Sequence, residues 1–164
     1  MIAKSNLSDG LAQNNDEIFV RWNNSYLIGI EIIDDQHKVL VELTNELYRA
    51  CMHGGQELDI IFKDTMSRMV DYVKFHFGFE QNMLLRVKYP KYAEHKAEHD
   101  GLIKTVLEAT KSYGDNKRFV PNNFVRFLRD WIISHIGHID KVYAAYIAEQ
   151  MQKGLVTEKD ILGT

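Results

Sequence analysis

The chain has little with which to cross-link itself, cross a membrane or hold nucleic acid. Of its 164 residues only Cys51 is a cysteine, so no internal disulfide can form and the expected compartment is the reducing cytoplasm. No apolar stretch approaches the roughly 20 residues of a membrane helix, and no membrane partner is expected. The first twenty residues hold one basic residue, Lys4, and no apolar run of signal-peptide length, which reads as no export signal. A net charge of -3 leaves no cationic excess for a phosphate backbone, so nucleic acid is not an expected partner.

What is present suits one globular unit: 45% hydrophobic and 26% charged residues, enough for a sizeable core. Residues 1–18 are small and polar and read as an N-terminal arm. From Phe19 to Ile33 the chain is aromatic and β-branched, with Gly29 inside it, and reads as an extended segment laid over the rest, with Asp34 as a helix N-cap. Four helical stretches follow. The first runs over about 35–51 with a stripe of Val39, Leu40, Leu43, Leu47 and Ala50, and stops near Gly54 and Gly55. The second runs over about 58–87 with Ile61, Met66, Met69, Val73, Phe77 and Leu84 near one side, and ends at Tyr89 and Pro90. The third, about 92–113, uses Leu102, Ile103, Val106 and Ala109. The fourth, about 121–152, starts with Pro121 and carries Phe124, Leu128, Trp131, Ile132, Ile136, Ile139, Val142 and Ile147. Short links between them imply an all-α, up-down-up-down antiparallel four-helix bundle over residues 19–153 with an extended N-terminal arm. The tail, 154–164, is expected to be frayed or weakly docked.

The informative feature is where the seven histidines fall, since six lie in helical segments among apolar neighbours. Taken singly, each reads as an ordinary structural imidazole. Their spacing changes that. HFGFE sets His76 and Glu80 four residues apart, and HKAEH does the same for His95 and His99, so each pair shares one helix face. The two helices are joined by a short loop at Pro90 and must be antiparallel, letting the pairs face each other. His37 on the first helix and His135 on the fourth complete a set in which every helix offers an imidazole, the pattern of a metal site built in a bundle core. Nitrogen and oxygen donors without thiolate suit iron, with zinc, manganese and copper as competitors, and the number of donors favours two ions over the four ligands of a structural zinc.

The set DDQH, HFGFE, YPKYAEHKAEH and HIGHID resembles the hemerythrin family in its bacterial branch, from about Trp22 to Ile147. The resemblance implies two iron ions, Fe2+ or Fe3+, with a bridging oxo or hydroxo. It assigns His95, His99 and His135 to one iron, His37 and His76 to the other, and Glu80 and Asp140 as bridges. Dioxygen would bind at an open position on the iron held by two imidazoles, for storage, delivery or scavenging, in a protein that is not an enzyme apart from weak oxidase or peroxidase activity. Alternatives are a di-iron oxidase, peroxidase or nitric-oxide-consuming enzyme, or an oxygen or redox sensor; a redox partner is not identified. Helix periodicity alone would pair His135 with His138, about 60° away, and not with Asp140, about 140° away. The family motif selects Asp140 and therefore calls for a local adjustment of the helix, leaving His138 at the surface. Trp131, Ile132 and Ile136, flanking His135, are candidates to line an apolar oxygen pocket. For Gln36, Glu98 and Tyr143, solvated or packing roles are favoured over holding the ligands. Met66, Met69 and Met83 read as core fillers, Cys51 as inert and His53 as a solvated residue at a helix end.

Overall fold

A computed structural model describes residues 18–53, 55–114 and 121–163. The N-terminal arm up to residue 17 and the third interhelical link lie outside the described residues, as does the His53 side chain. Six α-helices form among the described residues: α1 (Glu31–His53), α2 (Gly55–Arg86), α3 (Tyr92–Gly114), α4 (Pro121–Ser134), α5 (Asp140–Gln152) and α6 (Glu158–Leu162). Between α4 and α5 the rod continues without a break through one π-helical segment, His135–Ile139. With α4, the π segment and α5 counted as one rod, the architecture is an antiparallel four-helix bundle. α1 lies against α2 and α4, and α2 lies against α3 and α6. No strand occurs among the described residues, and none of their helices is long and apolar enough to cross a membrane.

The core follows the 3.6-residue stripes. Leu40, Leu43 and Leu47 of α1 meet Phe62, Met66, Met69, Val73 and Phe77 of α2, and Leu128, Ile132 and Ile136 close the other side. Each such side chain contributes about 1.5–3 kcal/mol when withdrawn from water. Three expected stripe members are exposed instead: Val39, Ile61 and Val142. Each is apolar but lies off its buried arc, one residue from a position that is inside (Leu40, Phe62 and Tyr143).

The lead-in from Ile18 to Ile30 runs beside α1 with a single 3-10 turn at Asn24–Tyr26. Asn45 of α1 clamps it by both ends of its amide: it accepts from Val20 N–H at 2.8 Å and donates to Val20 C=O at 3.0 Å. α1 starts four residues before its expected start, so Asp34 is not its N-cap. The Asp34 carboxylate reaches back to accept from the backbone N–H groups of Ile28 (2.8 Å) and Gly29 (3.1 Å). Gly29 turns at φ +85, which only glycine adopts freely, and this lets both N–H groups face one carboxylate.

Of the two states expected for the tail, frayed or weakly docked, the structure shows it docked. Thr157 and Asp160 form a capping box, Gly163 closes the last turn at φ +77, and Val156 and Ile161 are buried. Arg86 at the end of α2 donates to the carbonyls of Asp160 (2.7 Å) and Ile161 (2.9 Å), so the guanidinium of one helix satisfies the last carbonyls of another.

Candidate metal centre

Seven polar side chains are withdrawn from water at mid-bundle, all buried: His37 from α1, His76 and Glu80 from α2, His95 and His99 from α3, His135 from the π segment and Asp140 from the start of α5. These are the seven residues singled out as ligands by the sequence resemblance. They form two adjoining groups that share Glu80: Glu80, His95, His99, His135 and Asp140, and His37, His76 and Glu80. Within each group one ligand atom per residue lies within 4.8 Å of all the others.

The π segment explains how Asp140 joins. Its backbone N–H bonds to the His135 carbonyl, five residues back, which widens the turn and brings His135 and Asp140 onto the same face. His135 Nε2 is 3.1 Å from Asp140 Oδ1. His138 points away, exposed, with Nδ1 donating to Ser134 C=O at 3.3 Å.

Distances inside the larger group are those of donors converging on a point. His99 Nε2 is 3.0 Å from His135 Nε2 and 3.1 Å from Glu80 Oε2. His95 Nε2 is 3.4 Å from Glu80 Oε2 and 3.7 Å from Asp140 Oδ1. Two ligand atoms, each about 2.1 Å from a common ion and at right angles, stand about 3 Å apart. On the other side Asp140 Oδ2 faces His37 Nε2 at 3.3 Å, and His76 Nε2 is 4.0 Å from Glu80 Oε2. Each carboxylate therefore touches imidazoles of both groups.

Without an ion, this arrangement is expensive. His37 Nδ1 and Nε2, His135 Nδ1 and both oxygens of Asp140 are buried with no hydrogen-bond partner, although several lie within ion-pair distance. An unsatisfied buried polar atom costs about 1–3 kcal/mol, so five in one cluster are a large fraction of a domain's stability. Cations would satisfy the carboxylate oxygens and the His37 Nε2 lone pair together, and the residues fit that role.

Protonation follows the same geometry. Burial pulls His76 down to about 4, against the attraction of Glu80. His99 is also lowered by burial, while in His95 the contact with Glu80 outweighs burial and raises it. Burial pushes Glu80 up, but His95 and His99 outweigh it and hold the carboxyl well below its ordinary range. Asp140 is pushed up by burial and by Glu80, yet the imidazoles of His135 and His37 leave it lowered. Two carboxylates held ionised, with burial favouring the neutral form of His76 and His99, suit the binding of divalent cations.

Around the donors sit residues whose part the sequence reading undervalued. Tyr143, fully buried on α5, donates its hydroxyl to Glu80 Oε1. Gln36, beside His37, accepts the His76 Nδ1 proton at 2.8 Å and so turns Nε2 inward. From sequence both read as packing or solvated side chains. Gln81 was not singled out at all, and its amide meets His99 Nδ1 at 3.3 Å. The only signal for these residues was adjacency: Gln36 precedes His37 and Gln81 follows Glu80. Glu98 is exposed, as expected for a solvated residue.

Aromatic rings hold the imidazoles in place. Phe77 stacks on His99 with centroids 3.6 Å apart, and Trp131 on His135 at 4.2 Å. Phe77 and Trp131 are 5.9 Å apart, and Ile132 and Ile136 are buried in the same apolar cluster as Phe77. Trp131 itself is half-buried.

With this geometry in hand, similarities to known proteins are specific. Residues 28–147 match the family profile described as the hemerythrin HHE cation binding domain. A bacteriohemerythrin of Methylococcus capsulatus is 33% identical over 115 residues, which cover 67% of this chain and 82% of that relative. A bacteriohemerythrin of Pseudomonas aeruginosa is 30% identical over 138 residues, covering 84% of this chain and 87% of the relative. A crystal structure of wild-type hemerythrin superposes with a TM-score of 0.72 at 28% identity, spanning 77% of this chain and 96% of that one.

Proposed function

The chain belongs to the hemerythrin family, and from that premise we propose that it holds two non-haem iron ions in the mid-bundle cluster and binds dioxygen reversibly there. His95, His99 and His135 would hold one iron, His37 and His76 the other, with Glu80 and Asp140 bridging them alongside an oxo or hydroxo group. When bound, the pair of ferrous ions supplies the two electrons that let dioxygen be held and released without an external reductant. The observation that carries this reading is the sharing of Glu80 between two buried donor groups, with Asp140 in contact with imidazoles of both. A five-donor group beside a two-imidazole group is unequal, and the poorer one is where a ligand has room to add.

The chain's other residues support binding more than turnover. Gln36 fixes His76 with Nε2 available, and Tyr143 fixes one oxygen of Glu80, so two donors from α2 are oriented before any ion arrives. Phe77, Trp131, Ile132 and Ile136 form an apolar wall that limits the access of water and protons, which would otherwise favour loss of the reduced state. Trp131, Ile132 and Ile136 are the proposed lining of the oxygen pocket. Anaerobic loading with ferrous iron followed by oxygen tests the reading. A visible absorption band that appears with oxygen and disappears on deoxygenation, over repeated cycles, is expected. A single irreversible conversion to a ferric product, without a reversible band, would exclude reversible carriage.

A further inference from the structure

Away from the histidine cluster, the lead-in segment, the start of α1, α5 and α6 line an open-sided cavity of about 590 Å³. It exists because the helix wall is built from small side chains. Ala144 and Ala148 stand one turn apart on α5, and Gly29 opposite has no side chain to fill the space. The apolar interior continues over Ile147 and Ile161, and α6 is kept in place as the far wall by Arg86. Part of the apolar lining stands in water: Met151 is 38% exposed and Leu162 45% exposed.

The polar lining has one sign. Glu31, Asp35 and Glu158 line the cavity, and among the described residues no lysine, arginine or histidine does. Asp35 shares its charge with Lys38 at 2.7 Å, so Glu31 and Glu158 are the carboxylates on which selectivity rests. The volume lies within the roughly 300–1,000 Å³ of small-molecule sites, and an apolar body with a few charged groups at its edge is how such sites combine affinity with orientation. An apolar cavity alone would admit any hydrophobe. The carboxylates favour a positive head group and penalise a negative one.

The geometry points to a binding site for a small amphipathic organic cation, an amine whose apolar body lies against Ala144, Ile147 and Ala148 while its ammonium reaches Glu31 and Glu158. The site is separate from the metal cluster and stands whether or not iron or oxygen binds there.

Three probes of equal shape test it on the full chain: phenylbutylamine, phenylbutanol and phenylbutyrate, each titrated while backbone amide NMR shifts are followed. Saturable shifts at Ile30, Ala148 and Leu162 are expected with the amine. The alcohol should bind about two- to fivefold more weakly, the worth of an exposed ion pair, and the carboxylate more weakly again. Joint replacement Glu31→Gln and Glu158→Gln should bring the amine to the alcohol's affinity. Ala148 is exposed, so Ala148→Leu and Ala148→Phe should fold, as helical circular dichroism checks, and should weaken the amine progressively by filling the cavity. No saturable binding of the amine overturns the proposal. So do equal affinities for amine and carboxylate, amine binding unchanged in both Ala148 variants, or shifts at these amides that grow with protein concentration alone, which would make the cavity a contact between copies.

Discussion

Replacing Tyr143 by phenylalanine removes one oxygen from the centre of the bundle and leaves the ring where it is. The hydroxyl donates to Glu80 Oε1, and both residues are fully buried. Glu80 keeps its other oxygen near His99 and His95, at 3.1 and 3.4 Å, so it stays ionised but loses a donor at Oε1. A hydrogen bond to a charged group is worth about 1.5–3 kcal/mol, and the missing oxygen leaves too little space for water to replace it. Tyr143→Phe should therefore cost the metal-free protein about 2 kcal/mol, a fall in Tm of roughly 4–8 °C for a chain of this size. Urea unfolding at neutral pH measures it. A double-mutant cycle with Glu80→Gln isolates the contact: in the neutral Gln background the same substitution should cost about 1 kcal/mol or less. An equal cost in both backgrounds, or less than about 0.5 kcal/mol with Glu80 intact, would refute the idea that the hydroxyl acts through the carboxylate.

Other expectations are as direct. His76 has a folded pKa of about 4 against about 6.5 unfolded, so between those values the unfolded chain binds the extra proton and stability falls as the pH is lowered; over the full interval this amounts to about 3 kcal/mol in the metal-free protein, and His76→Phe should flatten that slope in a pH series of unfolding curves. Deleting Gly137 removes the residue that makes the π turn necessary and sets His135 and Asp140 four apart, about 40° around a regular helix; elemental analysis should still find two irons, whereas an alanine inserted after Gly137 should reduce the count. Burial holds the Cys51 thiol at about 11, so alkylation at pH 8 should run about two orders of magnitude slower than for a free cysteine. Arg86→Ala removes both bonds to α6 and should speed proteolytic cleavage at Lys159, with bundle helicity retained.

The parts legible in the sequence are those encoded by short-range periodicity. His76 with Glu80 and His95 with His99 lie four apart, and any helix carries such pairs to one face. The apolar stripes place the four rods for the same reason, with errors confined to positions such as Val39 and Val142 at a stripe's edge. Asp140 was different in kind. Spacing from His135 argues against it, and only the family motif selected it; the π turn that reconciles the two depends on tertiary packing and has no local signature in HIGHID. Tyr143 and Gln36 were undervalued because their partners, Glu80 and His76, are 63 and 40 residues away. No local pattern distinguishes a tyrosine that packs from one that also holds a carboxylate. The sequence leaves the tail between frayed and weakly docked although its capping box, Thr157 to Asp160, is a readable signal, because five residues of helix are unstable until Arg86 and the core hold them.

Everything proposed for the centre requires that the shared carboxylate lie between two metals and not beside one. Iron counted per chain, after anaerobic loading and removal of loosely held metal, tests this most directly. Two irons are predicted for the native protein, and a Glu80→Ala variant should lose both. A plateau at one iron in the native chain would mean that the second group, His37 and His76, is not a metal site.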